Sequence, residues 1–114
     1  MAKKQYQKPK REIKLKKTPI ILNDEEMFLS YNMLALERLE TLGINIMEID
    51  TTRIPLSLLA SIVYCGLISY DPTITRDEVA MMIDPSNINY VAEKIGEALG
   101  NDIDGDMEEE EGKN

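Results

Sequence analysis

Leu56-Ser57-Leu58-Leu59-Ala60-Ser61-Ile62-Val63-Tyr64-Cys65-Gly66-Leu67-Ile68 is the stretch whose reading decides the fold. Wound as a helix at 100° per residue, its apolar side chains point in nearly every direction and leave no face for solvent. Such a helix is stable only when other elements surround it, so the rest of the chain is read as its surroundings. The stretch lies within the longest uncharged run, the 17 residues Ile54 to Tyr70, which Pro55, Ser57, Ser61, Gly66 and Ser69 interrupt. A membrane span needs roughly 20 predominantly apolar residues, so a central core helix is expected and no membrane is among the expected partners. Thr51 or Thr52 is the expected cap, with Pro55 in the first turn. Cys65 reads as a small buried hydrophobe, since the chain has no His to activate a thiolate.

Downstream, Ser69-Tyr70-Asp71-Pro72 breaks the helix, and Thr75-Arg76-Asp77-Glu78 has the form of a capping box opening a short helix through Val79, Met82 and Ile83. Asp84 as N-cap and Pro85 as first helical residue would start a last helix running to about Leu99. Its inner face would be Ile88, Val91, Ala92, Ile95 and Leu99, with Tyr90, Glu93, Lys94 and Glu97 outside, and Gly100 would end it.

Upstream, Gly43 marks the end of a helix whose stripe is Ala35, Leu39 and Leu42, flanked by Leu36. Before it two readings compete. In the favoured one, Glu12 to Leu22 is extended, Asn23 to Glu26 is a turn, and Met27 to Tyr31 is the second strand of a hairpin, so that the helix begins near Ser30 to Asn32. In the other, Asn23 caps a longer helix that adds Phe28 and Tyr31 to the stripe. The connection Ile44 to Ile54 carries Ile44, Ile46, Met47 and Ile49 and should be sticky. The fold class expected is therefore mainly α: about four helices, with a short N-terminal hairpin as the favoured start.

Composition narrows function by exclusion. At 114 residues the chain affords one modest core. Absence of His removes imidazole acid–base chemistry and ligation, and a single Cys allows neither a disulfide framework nor a thiolate cluster. With no Trp and one Phe, stacking platforms for single-stranded nucleic acid are not expected. No phosphate-binding glycine motif is present. Asp102, Asp104, Gly105 and Glu111 match part of a calcium loop, but Gly100 stands where its first acid belongs. No catalytic, cofactor or metal site is expected, and the protein is read as soluble, intracellular and non-enzymatic.

The net charge of −8 divides into three zones. Residues 1–17 form a basic arm of +7, residues 18–100 a helical domain of −9, and residues 101–114 an acidic tail of −6. Arm and tail are too polar to offset the entropy of ordering and are expected to be disordered. The arm suits either a nucleic-acid contact or a contact with the protein's own acidic surface or that of another copy; an acidic body repels phosphate, which favours the second. Seven methionines exceed what so small a core requires, and methionine suits adaptable binding surfaces. Met33, Ile44, Ile46, Met47, Ile49 and Met81 are accordingly the candidate surface for a partner or for self-association.

The order of these elements resembles a known family. Ala35-Leu36-Glu37-Arg38-Leu39-Glu40-Thr41-Leu42-Gly43, the Ala60 to Leu67 pattern ending in Gly-Leu, Asp71-Pro72-x-x-Thr75-x-x-Glu78-Val79 and then Ile83-Asp84 are similar to the tail assembly chaperones of long-tailed bacteriophages, of the siphophage type from Gram-positive hosts. The resemblance covers roughly Pro19 to Gly100. It implies a small, helical, oligomerising, non-enzymatic protein that binds the tape measure protein and helps the tail tube protein polymerise around it. It also implies action in the host cytoplasm and absence from the mature virion. The family often has a second, frameshifted product; Gly112-Lys113 is read here either as such a slip site, with a minority of chains continuing past Asn114, or as the end of a solubilising tail. The alternative class is a small helical nucleic-acid-binding regulator using the basic arm.

Overall fold

The computed structural model describes residues 14–100. Most of the basic arm, the acidic tail with its partial calcium loop, and the slip-site reading lie outside the described residues. The chain is mainly helical with an N-terminal hairpin: β1 (Thr18–Leu22), β2 (Glu25–Leu29), α1 (Met33–Thr41), a 3₁₀ turn (Ile46–Glu48), α2 (Leu56–Leu67), α3 (Arg76–Met81) and α4 (Ile88–Leu99). The helix α2 is the hub, packed against β2, α1, α3 and α4, while α4 also lies on β1.

The hairpin reading holds, with a tighter turn than expected. β1 and β2 pair antiparallel from Thr18↔Leu29 to Leu22↔Glu25, leaving only Asn23 and Asp24 in the loop. Both have positive φ, 54° and 62°, the conformation that lets a two-residue turn follow the strand twist and that Asn and Asp tolerate best. The second strand therefore starts at Glu25 and ends at Leu29, two residues earlier at each end than the sequence placed it. Alternation then puts Ile20, Leu22, Met27 and Leu29 in the core and leaves Ile21 outside.

The outer edge of β1 is closed. In a hairpin with a two-residue loop, Pro19 and Ile21 face away from the partner strand. Proline has no N–H to present, and the Ile21 N–H donates to the Tyr90 hydroxyl at 2.8 Å. Tyr90 was expected on the outside of the last helix; it is instead half-buried and turned to the sheet edge, because a phenol can bury its ring while its oxygen satisfies a strand donor.

The joint between hairpin and hub is made at Gly66. A Cβ there would lie 2.7 Å from Tyr31 Cζ, 2.8 Å from its hydroxyl and 2.9 Å from Leu29 Cδ2. Only glycine lets the Tyr31 ring lie on the helix backbone. The Ser30 N–H donates to the Gly66 carbonyl at 2.8 Å, the Tyr31 hydroxyl to the Ile62 carbonyl at 2.8 Å, and Asn32 Nδ2 to Ser69 Oγ at 2.9 Å. Asn32 also caps α1, its Oδ1 accepting from the Ala35 N–H.

Four local expectations need correction. Leu42 is exposed rather than inward, because α1 ends at Thr41 and Leu42 is its C-cap. Neither Thr51 nor Thr52 caps α2; Pro55 occupies that position without a side-chain bond, and Thr52 bonds Asp50 instead. Leu56, in the first turn of α2, is exposed. The regular part of α4 begins at Ile88, not Pro85, but the turn before it keeps the form of a cap. Asp84 Oδ1 accepts from the Ser86 N–H and Asn87 Oδ1 from the Asp84 N–H, at 2.8 Å each. The capping box at Thr75 and Glu78 is present in both halves.

Candidate functional site

The connector after α1 shapes the first candidate surface. Gly43, at φ +79°, sits in the left-handed region open to glycine. Its N–H donates to the Glu40 carbonyl at 2.9 Å, and that of Ile44 donates to the Leu39 carbonyl at 3.0 Å. These two bonds are a Schellman closure, which characteristically packs the residue after the glycine against the helix's last turn. Ile44 is accordingly buried, and so is Ile46, while Met47 between Ile46 and Glu48 is exposed. The sequence had placed Ile44 and Ile46 on the surface; the turn chemistry draws them into the core. Ile49 is half-buried against the core.

Met33 and Met47, 66% and 67% exposed, face a concavity of about 390 Å³ whose apolar wall is completed by Leu36 and the edges of Ile44 and Ile46. Among the described residues, Glu37 and Glu40 are its charged lining, and no Lys or Arg lines it. Four of the six candidate residues thus come together: Met33 and Met47 as exposed contact groups, Ile44 and Ile46 as buried support.

Met81 does not join them. It is 78% exposed and lines a second groove, of about 420 Å³, between the tip of the hairpin and α3. Tyr70, Ile74 and Met82 give this groove its apolar surface, and Glu25, Asp71 and Glu78 its charge, again with no cation among the described residues. Asp71 is held below the ordinary carboxylate range, first by the Thr73 hydroxyl and then by the Thr73 N–H, so it stays ionised at neutral pH. Tyr70 was read from the sequence only as part of a chain break. Its hydroxyl donates to the Glu26 carbonyl at 3.4 Å, and its ring meets Phe28 edge-on at 5.4 Å between centroids.

Elsewhere the described residues offer little to chemistry. Cys65 is fully buried, and burial pushes its thiol up to about 11, away from reactivity. Among the described residues no group of His, Cys, Asp or Glu is placed to hold a metal ion, and no helix is long and apolar enough to cross a membrane. The exposed side of α4 carries Glu93 and Glu97, and its Lys94 bonds Glu97 at 3.1 Å. That pattern is ill-suited to a major groove. Comparison with protein-family models, with curated proteins and with solved structures finds no match to this chain.

Proposed function

We propose that this chain is a non-enzymatic phage tail assembly chaperone that binds the tape measure protein and promotes assembly of the tail tube around it in the host cytoplasm. The reading rests on the sequence resemblance and on one structural observation: the Met33–Met47 groove, apolar, flexible-walled and lined, among the described residues, by Glu37 and Glu40 without a cation. A tape measure protein is a very long, helix-rich chain, and an apolar groove of this kind suits one face of an amphipathic helix. Methionine walls adapt to successive, non-identical segments of such a client. Carboxylates at the rim favour segments with Lys or Arg beside the apolar face. The resemblance further implies self-association and contact with the tail tube protein.

Co-expression with a long, helix-rich product of a neighbouring reading frame tests the reading. The client is expected to stay soluble and to co-purify with the full chain, and Met33→Glu with Met47→Glu is expected to abolish both effects while the chaperone remains folded. A client equally insoluble with and without the chain, or the lack of any such neighbouring frame, overturns it.

A further inference from the structure

The second groove runs toward the tip of the hairpin from Tyr70, a residue it shares with the pocket where the chain's basic arm enters the fold. Leu15 and Lys17, just before β1, line a shallow pocket together with Phe28 and Tyr70. Lys17 Nζ stands 5.0 Å over the Phe28 ring, and Phe28 packs on Tyr70. Tyr70 is also a wall of the second groove. Tyr70 thus stands between the pocket that holds Leu15 and Lys17 and the groove. The Met33–Met47 groove shares no lining residue with this exit.

We propose that residues 1–13 dock in cis in the groove lined by Tyr70, Ile74, Met81 and Met82, with Lys8, Lys10 and Arg11 against Glu25, Asp71 and Glu78. Charge complementarity carries the assignment: among the described residues, three carboxylates and no cation line the groove, while Tyr6-Gln7-Lys8-Pro9-Lys10-Arg11 carries three cations and no acid. Reach is ample, since extended chain covers about 3.3 Å per residue and Tyr70 lines both the groove and the pocket at Leu15 and Lys17. Tyr6 supplies the apolar complement, because an aromatic ring makes favourable contacts with methionine sulfur. The exposed Met81 then has a resident partner, and the Met33–Met47 groove stays open. This assignment is independent of the chaperone reading and stands or falls without it.

Two measurements on the full chain test it. Carbodiimide crosslinking of a mixture of ¹⁴N- and ¹⁵N-labelled protein, mapped by mass, is expected to join Lys8 or Lys10 to Glu25, Asp71 or Glu78 within one chain. The yield should fall several-fold in 1 M salt, where the Debye length is about 3 Å. Links that carry both isotopes place the arm on a second copy, and links to Glu37 and Glu40 or to Asp102 through Glu111 place it on the other groove or on the acidic tail; any of these as the main product overturns the proposal. Methionine-methyl NMR of the K8E/K10E/R11E chain gives the second readout. Met81 and Met82 are expected to shift while Met33 and Met47 do not, and unmoved Met81 and Met82 resonances overturn it.

Discussion

The joint at Gly66 and the groove at Met33 are both apolar contacts made by α-helices, yet they are opposites in construction. At Gly66 a buried tyrosine is pressed onto helix backbone with its hydroxyl satisfied by the Ile62 carbonyl. At Met33 two unbranched side chains stand in solvent beside buried Ile44 and Ile46. The first has one solution and tolerates no extra atom; the second has many and excludes little. A protein that needs a fixed scaffold and an adaptable surface separates the two, and substitutions on either side should separate just as sharply.

The largest effect is expected at the joint. Tyr31→Ala removes a ring that is only 2% exposed and should cost about 3–5 kcal/mol of stability, as large-to-small core changes do, read by urea unfolding. Gly66→Ala should cost about 1–3 kcal/mol through overpacking against Tyr31 and Leu29, partly offset by better helix propensity. In the Tyr31→Ala background that cost should shrink, because the ring is gone and only the end of the Leu29 side chain has to give way. A Gly66→Ala penalty undiminished in the double variant would break the account of the joint.

Next in size, Tyr90→Phe strips the Ile21 N–H of its partner and should cost about 1 kcal/mol. A fall in hydrogen-exchange protection at Ile21, with that of the α2 core unchanged, would locate the loss at the strand edge.

Acid should loosen the connections before it loosens the joint. Asp50, Asp71 and Asp84 are each held below their ordinary range, first by a side-chain hydroxyl two residues on, at Thr52, Thr73 and Ser86, then by that residue's N–H. A depressed folded pKa contributes stability that is complete above the unfolded value, near 4, and is lost as pH falls through the folded value. Stability should therefore be flat from neutral pH to about 5 and decline below about 4. Replacing the three aspartates by asparagine should flatten that decline.

Smallest of all should be the stability change at the groove. Met33→Glu and Met47→Glu alter exposed side chains and should move stability by no more than about 0.5 kcal/mol, while removing whatever binds there. A large loss of stability would show that these methionines belong to the core after all.

Much of the framework was legible from residue types alone. An all-apolar helix at Leu56 to Ile68 has to be central, Thr75 and Glu78 satisfy each other's backbone within one turn, and Gly43 stops a helix because it alone takes φ +79° without strain. These are local rules, settled within a few residues along the chain. Tyr31 and Tyr90 were decided by tertiary structure, each by a partner that spacing does not reveal. Tyr31 reaches a glycine on α2 and Tyr90 a strand donor sixty-nine residues away, whereas Ile44 is drawn inward by the local closure around Gly43, against its apparent place in an exposed connector. The candidate surface divided for the same reason. Composition could count methionines, but only packing determines that Met33 and Met47 share one groove while Met81 faces another near the tip of the hairpin.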